Sequence, residues 1–376
     1  MIIELVAKFV QKELIPLENE VLAREARGVH PALPVEQRAR LNAISKELGL
    51  WGLDAPEDLG GMNLPATVMA GVAEELAKTA VDYEFPPDSP NLRMIQAIGT
   101  EEQKNKYLPG YIAGELHSAI GITEPGAGGD PSAMTTKAVL DGDEWVLNGR
   151  KIWIGNAKRA DFIIVMARVG EGKGREGITA FIVEKGTPGY IVERELPMLG
   201  DHYTYELVFD ECRVPRGALL GEVGKGYAPM QLRLLTRRLE MGATACGITQ
   251  RALDMLSEHA LQRVTFGVRL ADRQAIQWWI ADTMIRLHAS RLMIQDAARK
   301  VDRGEDVRYE ASIIKVFATE MAYEAVDYAM QTLGALGMSK ETALFPMWQK
   351  ARLMRIYEGP TEVHRQTIAK RVLSRY

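Results

Sequence analysis

The spacing of apolar residues changes twice along this chain, and these changes limit the folds it can adopt. Up to residue 118, apolar residues recur at helical spacing between Gly and Pro breaks. From 119 to 222 the apolar runs are short and bounded by Gly, Pro or charged residues, as is typical of strands. From 223 to 376 helical spacing returns. The sequence therefore predicts a mostly α protein with a central β-domain, in units at 1–118, 119–222 and 223–376.

The middle unit is predicted to be a compact antiparallel barrel or sandwich. Its β-branched and aromatic runs lie at 145–147, 151–154, 162–167, 178–183, 190–192 and 206–209. Asn148-Gly149 readily takes the positive φ angles of a tight turn, so we expect a hairpin between the first two runs. The last unit predicts long antiparallel helices. This order disfavours a doubly wound α/β sheet.

Charge and cysteine content exclude several classes of function. The chain has 376 residues, with 46 Lys and Arg against 50 Asp and Glu. This balance is not that of a chain dedicated to nucleic-acid binding. The length exceeds the roughly 250–300 residues at which a single core stops growing. Cys212 and Cys246 are too few for a disulfide framework or a cysteine-rich metal site.

The N-terminus and the longest apolar runs bear on cellular location. Glu4, Lys8 and Lys12 interrupt the first apolar run before it can act as a signal peptide. No run approaches the roughly 18 consecutive apolar residues of a membrane-spanning helix. We therefore expect a reduced aqueous compartment, the cytoplasm, or the mitochondrial matrix if a transit peptide has been removed.

Common cofactor and catalytic motifs are missing or lie in the wrong context. Gly172, Gly174 and Gly177 match G-x-G-x-x-G, but a strand-like run follows them, so the segment is interpreted as a hairpin loop. The glycines of 221–226 are too close together for a P-loop, and a turn is expected there. The six histidines are never three or four residues apart, and neither H-E-x-x-H nor G-x-S-x-G occurs. No metal site is predicted.

Four separated segments carry a resemblance to a known family. They are ITEPGAGGD at 122–130, NGRKIWIGN at 148–156, RVTFG at 263–267, and IYEGPTEVHR at 356–365, preceded by QTLGALG at 331–337. In this order they resemble the acyl-CoA dehydrogenase family, the FAD-dependent enzymes that oxidise acyl-CoA thioesters to 2-enoyl-CoA. YEGPTEVH is similar to the subgroup related to the long phosphotransferase-fused members. The resemblance implies a helical N-terminal domain, a β-barrel-like middle domain and a C-terminal four-helix bundle.

Glu358 is the predicted catalytic base. Removing a proton α to a thioester while a hydride leaves the β-carbon requires a carboxylate on one face of the acyl chain and an oxidised flavin on the other. Gly359 suits a helix N-cap and Pro360 the first helical position, which places Glu358 at a junction between helices. The resemblance assigns the base to this Y-E-G segment. A minority of the family carries it at the position of Arg237, which cannot accept a proton.

Some of these side chains also have simpler interpretations. Glu358 could instead pair with Arg355 at the surface, and Arg238 could be an exposed cation on a helix. Trp153 could fill the core of the sheet and still face a cofactor. The resemblance favours functional roles, because it places Arg238 and Tyr357 at the substrate and Trp153 beside the flavin.

The resemblance implies two groups of FAD contacts. Residues that reach the cofactor of their own subunit are Ile122, Thr123, Gly129, Trp153, Gly155, Pro360 and Glu362. Residues that reach the cofactor across a subunit interface are Arg263, Thr265, Phe266, Gln331, Gly334 and Ala335. Within this second group Arg263 is assigned to the pyrophosphate, a role that suits a guanidinium group. The resemblance therefore implies a homotetramer built as a dimer of dimers.

Three positions depart from the family's pattern. W-[IS]-T-N has become W-I-G-N at 153–156, G-S-D has become G-G-D at 128–130, and E-G-T has become E-G-P at 358–360. Each change removes a side-chain donor, worth about 0.5–1.5 kcal/mol per hydrogen bond. The backbone amides of Gly129 and Gly155 remain available, whereas Pro360 has none. A changed flavin potential or affinity is expected rather than loss of FAD.

The predicted function is FAD-dependent α,β-dehydrogenation of an acyl-CoA, with electrons passed to an electron-transfer flavoprotein. The alternative enzymes are an acyl-CoA oxidase, an enoyl-CoA reductase, or a nitroalkane oxidase, whose base is usually Asp. A different class is a flavin-carrying homologue that binds DNA or a partner protein. Only the basic stretch 349–376, with seven Lys and Arg, favours that class, and we interpret it as a solvated helix face. The length and branching of the acyl chain depend on pocket residues that one sequence does not identify.

Overall fold

The computed structural model describes residues 1–29, 32–87, 89–172, 174–199 and 203–376, and its first part is helical as expected. The helices here are α1 (Ile2–Phe9), α2 (Glu18–Ala26), α3 (Val35–Glu47), α4 (Ala66–Leu76), α5 (Ser89–Ile98) and α6 (Glu101–Ile112). The chain between α1 and α2 stays helical, as a π-turn followed by a 3₁₀ turn. Thr100 and Gln103 form a capping box that starts α6.

The middle part forms a predominantly antiparallel sheet. Its strands are β1 (Ser118–Gly121), β2 (Lys137–Asp141), β3 (Glu144–Gly155), β4 (Phe162–Arg168), β5 (Ile178–Glu184), β6 (Tyr190–Pro197), β7 (Tyr203–Pro215) and β8 (Leu219–Leu220). Their order in the sheet is β6-β7-β3-β2-β4-β5-β8, with β1 parallel to β4. β2 also meets the end of β4 in parallel.

The sheet curls around its own core. Trp145 on β3 and Phe181 on β5 have ring centroids 5.2 Å apart. These strands are three positions apart in the sheet order, which in a flat sheet is about 14 Å. The other face of the sheet packs against helices, where Phe162 on β4 lies 4.8 Å from the Tyr107 ring of α6. β4 is therefore buried on both faces, which explains its continuous apolar run.

The hairpin predicted at 148–149 is wrong. β3 runs through these residues, and the chain reverses instead at 142–143, between β2 and β3. The pairing of β3 with β7 shifts register between Leu147 and Gly149, which marks a bulge. A Cβ atom at Gly149 would lie 2.5 Å from Thr136 Oγ1. The close approach of the segment before β2 therefore requires this glycine.

The two glycine-rich segments have the structures predicted for them. The G-x-G-x-x-G match at 172–177 lies in the loop between the antiparallel strands β4 and β5. Its Lys173 lies outside the described residues, as do His30 and His202 among the six histidines. The segment 221–226 forms a turn that leads into the next helix.

The last part contains the predicted long helices. They are α7 (Tyr227–Gln262), α8 (Gln274–Asp302), α9 (Arg308–Leu333), α10 (Ala335–Met338), α11 (Leu344–Met354) and α12 (Thr361–Leu373). A two-stranded hairpin of β9 (Val264–Thr265) and β10 (Val268–Arg269) joins α7 to α8. Small side chains such as Ala245, Ala252, Ala318 and Ala322 fill the core between α7 and α9, which allows these helices to lie close together.

Candidate active site

A cleft of about 2210 Å³ lies where the sheet meets the helices on both sides of it. Its wall is formed by the loop after β1, the end of β3, one face of α7 and the turn between α11 and α12. The predicted site residues that line it are Ile122, Thr123, Gly129, Trp153, Gly155, Arg238, Tyr357, Glu358 and Pro360. Segments more than 200 residues apart in sequence thus meet in one place.

A buried ion pair holds the loop after β1. Lys151 Nζ lies 2.7 Å from Glu124 Oε1 and 3.2 Å from the carbonyl oxygen of Ile122. Glu124 also accepts the backbone amides of Thr135 at 2.6 Å and Thr136 at 2.9 Å. Burial disfavours its charged form, but Lys151 and these hydrogen bonds outweigh burial and lower the pKa of Glu124. The pair therefore ties the loop to β3 and to the start of β2.

A second bulge in β3 places Trp153 in the cleft wall. The pairing with β7 shifts register between Lys151 and Ile154, and Trp153 has a φ of 60°. Its side chain is 50% exposed, whereas Lys151 on the same strand is buried. Trp153 is therefore part of the cleft rather than of the sheet core. A positive φ at a bulky residue costs energy, and such residues cluster at functional sites.

Glu358 lies on the turn between α11 and α12, as predicted, and also has a left-handed backbone, with a φ of 56°. The start of α12 differs from the prediction by one residue. Pro360 is the N-cap and Thr361 the first helical residue, whereas Gly359 and Pro360 were expected at these positions. Gly359 has a φ of 96°, so the left-handed turn continues through it and delays the helix.

Three donors hold the backbone of this turn, of which Lys315 and His364 are buried and Arg238 is partly buried. Arg238 Nε donates to the carbonyl oxygen of Glu358 at 3.1 Å, and His364 Nε2 lies 3.2 Å from the same oxygen. Lys315 Nζ donates to the carbonyl oxygen of Gly359 at 2.6 Å. Burial lowers the pKa of Lys315 to about 8 and that of the Arg238 guanidinium. The position of Glu358 thus depends on α7, α9 and α12 together.

The two carboxylate oxygens of Glu358 have different surroundings. Oε1 lies 3.4 Å from Arg233 Nη1 on α7. Oε2 is buried and has no hydrogen-bond partner in the part of the chain that the structure describes. Arg355, the alternative partner expected for Glu358, pairs instead with Glu320 at 2.9 Å. A carboxylate with an unpaired oxygen in a cleft can accept a proton from a bound molecule.

His364 provides a test of this arrangement through pH. Burial lowers the pKa of His364 to about 4, below the value of about 6.5 expected in the unfolded chain. Between these values the unfolded chain binds more protons, so the free energy of unfolding falls as the pH falls. The free energy of unfolding is measured in urea at pH 7 and at pH 5. Between these values we expect it to fall by about 1–2 kcal/mol more in wild type than in His364→Gln. His288→Gln, at an exposed histidine, should follow wild type; equal losses in all three proteins would contradict this assignment.

The second group of predicted residues lies away from this cleft. Arg263, Thr265 and Phe266 belong to or flank β9, and Phe266 is 99% exposed with a φ of 51°. Gln331, Gly334 and Ala335 are exposed where α9 meets α10. Glu362, which was predicted to belong to the same-subunit group, is also exposed, in the first turn of α12. None of these residues lines the cleft of its own chain.

Sequence reasoning missed several polar residues of the site. Arg233 lies four residues before Arg237 on α7, so a search for cations on one helix face could have found it. His364 belongs to the segment that carries the resemblance but received no role. Lys151 and Lys315 are fully buried cations that no local pattern distinguishes from surface lysines.

Two further observations concern metals and membranes. Within the described ranges, no group of three or more His, Cys, Asp or Glu side chains could hold a metal ion. None of the described helices combines the length and apolar character needed to span a bilayer.

Known proteins match this chain over its whole length. Residues 1–115 match the family described as the acyl-CoA dehydrogenase N-terminal domain, residues 119–212 match the middle domain, and residues 224–373 match the C-terminal domain. (R)-Benzylsuccinyl-CoA dehydrogenase of Thauera aromatica is 39% identical over 385 residues, covering 100% of this chain and 95% of that protein. Acryloyl-CoA reductase (NADH) of Anaerotignum propionicum is 35% identical over 383 residues, covering 100% and 94%. The structure of butyryl-CoA dehydrogenase from Megasphaera elsdenii matches with a TM-score of 0.87 and 33% identity, covering 99% and 97%.

These matches, together with helical parts on both sides of a central sheet and a large cleft between them, identify an FAD-dependent oxidoreductase. The chain belongs to the acyl-CoA dehydrogenase family. The predicted family, fold and cofactor are therefore confirmed.

The residues of the cleft fit FAD. A Cβ atom at Gly128 or at Gly155 would meet nothing within 4 Å, so there is open space beside both segments. At Gly129 a Cβ atom would lie 3.2 Å from Val363, which shows that the loop approaches the first turn of α12. The half-exposed ring of Trp153 offers a flat aromatic surface of the kind that packs on other rings.

Proposed function

We propose that this enzyme dehydrogenates an acyl-CoA thioester to the trans-2-enoyl-CoA, with Glu358 taking the α-proton. The observation that carries this proposal is the Glu358 carboxylate, which has one unpaired oxygen and lines the same cleft as Thr123 and Trp153. The left-handed backbone of Glu358 supports a functional role, because such strain persists only where surrounding contacts maintain it.

The chain's own residues position the substrate and the base. Arg238, His364 and Lys315 donate to the backbone of the turn, so they restrict the carboxylate of Glu358 to rotation of its own side chain. The α-proton passes to Glu358, the hydride leaves the β-carbon, and the electron pair left at the α-carbon forms the double bond. FAD, when bound, supplies the hydride acceptor.

We propose that Tyr357 and Arg238 contact the substrate. The side chain of Tyr357 is 36% exposed at the cleft. Desolvation of its hydroxyl and the nearby Glu358 carboxylate raise the pKa of Tyr357, so the hydroxyl stays protonated at physiological pH and can donate a hydrogen bond. For FAD in the same subunit, we propose contacts from Ile122, Thr123, Gly129, Trp153, Gly155 and Pro360. Glu362, which the resemblance implies for the same group, is exposed and lies outside the cleft of its own chain.

We further propose that the chain assembles as a homotetramer, a dimer of dimers. The exposed apolar residues Trp278, Ile285 and Leu292 recur every seven residues on α8 and form one stripe. Such a stripe on a helix suits packing against another helix. In this assembly Arg263, Thr265, Phe266, Gln331, Gly334 and Ala335 would contact the FAD of a neighbouring subunit, which accounts for their distance from the cleft of their own chain.

Arg263→Ala tests this cross-subunit contact. We expect the variant to fold but to bind FAD about tenfold or more weakly, since a charge-assisted hydrogen bond to phosphate is worth about 1.5–3 kcal/mol. FAD affinity after flavin removal and reconstitution is the measurement. Arg269→Ala is the matched control, because Arg269 lies on the same hairpin and pairs with Asp272 of its own chain. If both variants bind FAD as wild type does, Arg263 has no such role.

Anaerobic reduction of the bound flavin tests the reaction itself. We expect bleaching of the flavin absorbance by at least one acyl-CoA, followed by reoxidation with an electron-transfer flavoprotein. Fast reoxidation by oxygen would identify an oxidase, and reduction by NADH together with an enoyl-CoA would identify a reductase. A flavin that no acyl-CoA bleaches would refute the proposed dehydrogenation.

The alternative of nucleic-acid binding has little support from the basic stretch near the C-terminus. Arg355 and Arg365 both pair with Glu320, at 2.9 and 3.3 Å. Lys350 lies 3.6 Å from Asp82. These cations are therefore partly neutralised by carboxylates of the same chain.

A further inference from the structure

Arg233 is a cation inside the cleft whose orientation is held by buried neighbours. Its side chain is only 10% exposed, and its Nε donates to Asn91 Oδ1 at 2.9 Å. Asn91 in turn donates to Ser118 Oγ at 2.8 Å, and Ser118 donates to the hydroxyl of Tyr111 at 3.0 Å. Asn91, Ser118 and Tyr111 are all buried. The guanidinium group is therefore fixed in place rather than mobile.

The carboxylate that faces Arg233 is that of the proposed base. Of the described carboxylates, only Glu358 lies within 4.0 Å of Arg233, at 3.4 Å. This distance is longer than the roughly 2.7–2.9 Å of a tight charged hydrogen bond. The neighbouring Arg237 is different, because it lies 3.0 Å from Glu240 and 3.7 Å from Glu84. Arg233 thus depends on the base for its charge compensation.

The reaction removes this compensation. When Glu358 accepts the α-proton it becomes neutral, and Arg233 remains a charged group whose side chain is only 10% exposed. A buried charge without a partner is costly, so a neutral acyl chain packed against Arg233 would oppose proton transfer. An anionic group on the substrate would remain charged throughout and would pair with Arg233.

Building on the proposed dehydrogenation, we propose that the substrate is an acyl-CoA with a carboxylate on its β- or γ-carbon, and that Arg233 binds this carboxylate. The distance between Arg233 and the base determines where on the acyl chain this carboxylate lies. A base contacts the carbon that it deprotonates at about 3 Å. Arg233 Nη1 lies 3.4 Å from Glu358 Oε1, and the unpaired Oε2 of the same carboxylate is about 2 Å further on, so the α-carbon lies within about 9 Å of Nη1. A carboxylate one or two bonds beyond the α-carbon fills that distance. Succinyl and glutaryl thioesters have this form.

Matched substrate pairs test the proposal in the wild-type holoenzyme. Succinyl-CoA is compared with 4-methylpentanoyl-CoA, and glutaryl-CoA with 5-methylhexanoyl-CoA, so that an isopropyl group replaces the carboxylate at nearly constant shape. We expect one carboxylated member to reduce the flavin with kcat/KM about 10²-fold above its partner, a typical effect of one buried charged contact. If the neutral member of each pair is as good or better, the carboxylate assignment is refuted while dehydrogenation stands. If no thioester bleaches the flavin, the proposed function itself fails.

Arg233→Met locates the effect at Arg233. We expect kcat/KM for the preferred carboxylated substrate to fall about 10²-fold, mainly through KM, while its neutral partner loses much less, so that the preference disappears. Arg233→Lys keeps the charge and should restore part of the preference, which also covers the case in which the methionine variant folds poorly. Arg251→Met is the matched control on α7, since Arg251 pairs with Glu18 at 3.4 Å outside the cleft. Equal losses for both members of a pair in the Arg233 variants would assign Arg233 a structural role only.

Discussion

Glu358→Gln should retain FAD and acyl-CoA binding but lose flavin reduction by substrate by about 10²–10⁴-fold, the usual cost of removing a general base. Glutamine has the size of glutamate and keeps an oxygen toward Arg233, but it cannot accept the α-proton. Because the turn is held through its backbone carbonyls by Arg238, His364 and Lys315, the substitution should leave the geometry of the turn intact. The measurement is the anaerobic rate of flavin bleaching, with flavin content as the check on folding.

Glu324→Gln is the control for this variant. Glu324 also pairs with an arginine, Arg286, but it lies outside the cleft. The flavin of the Glu324→Gln enzyme should be reduced by substrate at the wild-type rate. A Glu358→Gln enzyme that bleaches within a few-fold of the control would mean that another group takes the proton.

Lys151→Met should destabilise the holoenzyme by about 3–5 kcal/mol and release FAD, because it leaves Glu124 as a buried charge without its cation. Lys151 and Glu124 are both buried, and Lys151 also donates to the Ile122 carbonyl in the loop assigned to the flavin. The measurements are the free energy of unfolding in urea and the flavin content after gel filtration. Lys158→Met is the matched control, since the Lys158 pair with Glu195 is exposed and should change stability by at most about 1 kcal/mol.

Adding Glu124→Gln to Lys151→Met distinguishes a coupled pair from two independent residues. We expect the double variant to lose less stability than the sum of the two single variants, by about 0.5–3 kcal/mol. Strict additivity would mean that the ion pair contributes nothing beyond its separate side chains. Equal urea midpoints for Lys151→Met and Lys158→Met would contradict the structural role of the buried pair.

The order of a helical, a β and a second helical part could be predicted because apolar periodicity reports on local structure, whereas strands such as β1 and β2 were missed. The continuous apolar run of β4 and the helical spacing along α7 each reflect which faces of one element are buried. The unit bounds at 118 and 222 stay predictions. The prediction of a hairpin at 148–149 was wrong because a glycine with positive φ suits a β-bulge as well as a hairpin turn. Only the close approach of Thr136 to Gly149 in the folded chain distinguishes the bulge from the turn.

The sequence alone determined the family, the fold class, the cofactor and the segments that carry the resemblance, because these depend on motifs in a fixed order along the chain. It also identified Glu358 as the candidate base. Only the tertiary structure decided which groups surround that carboxylate. Arg233 and Glu358 are 125 residues apart in sequence, and Lys315 is 44 residues from the carbonyl that it holds. Burial and pairing of charges depend on how distant elements pack, and packing has no local signature in the sequence.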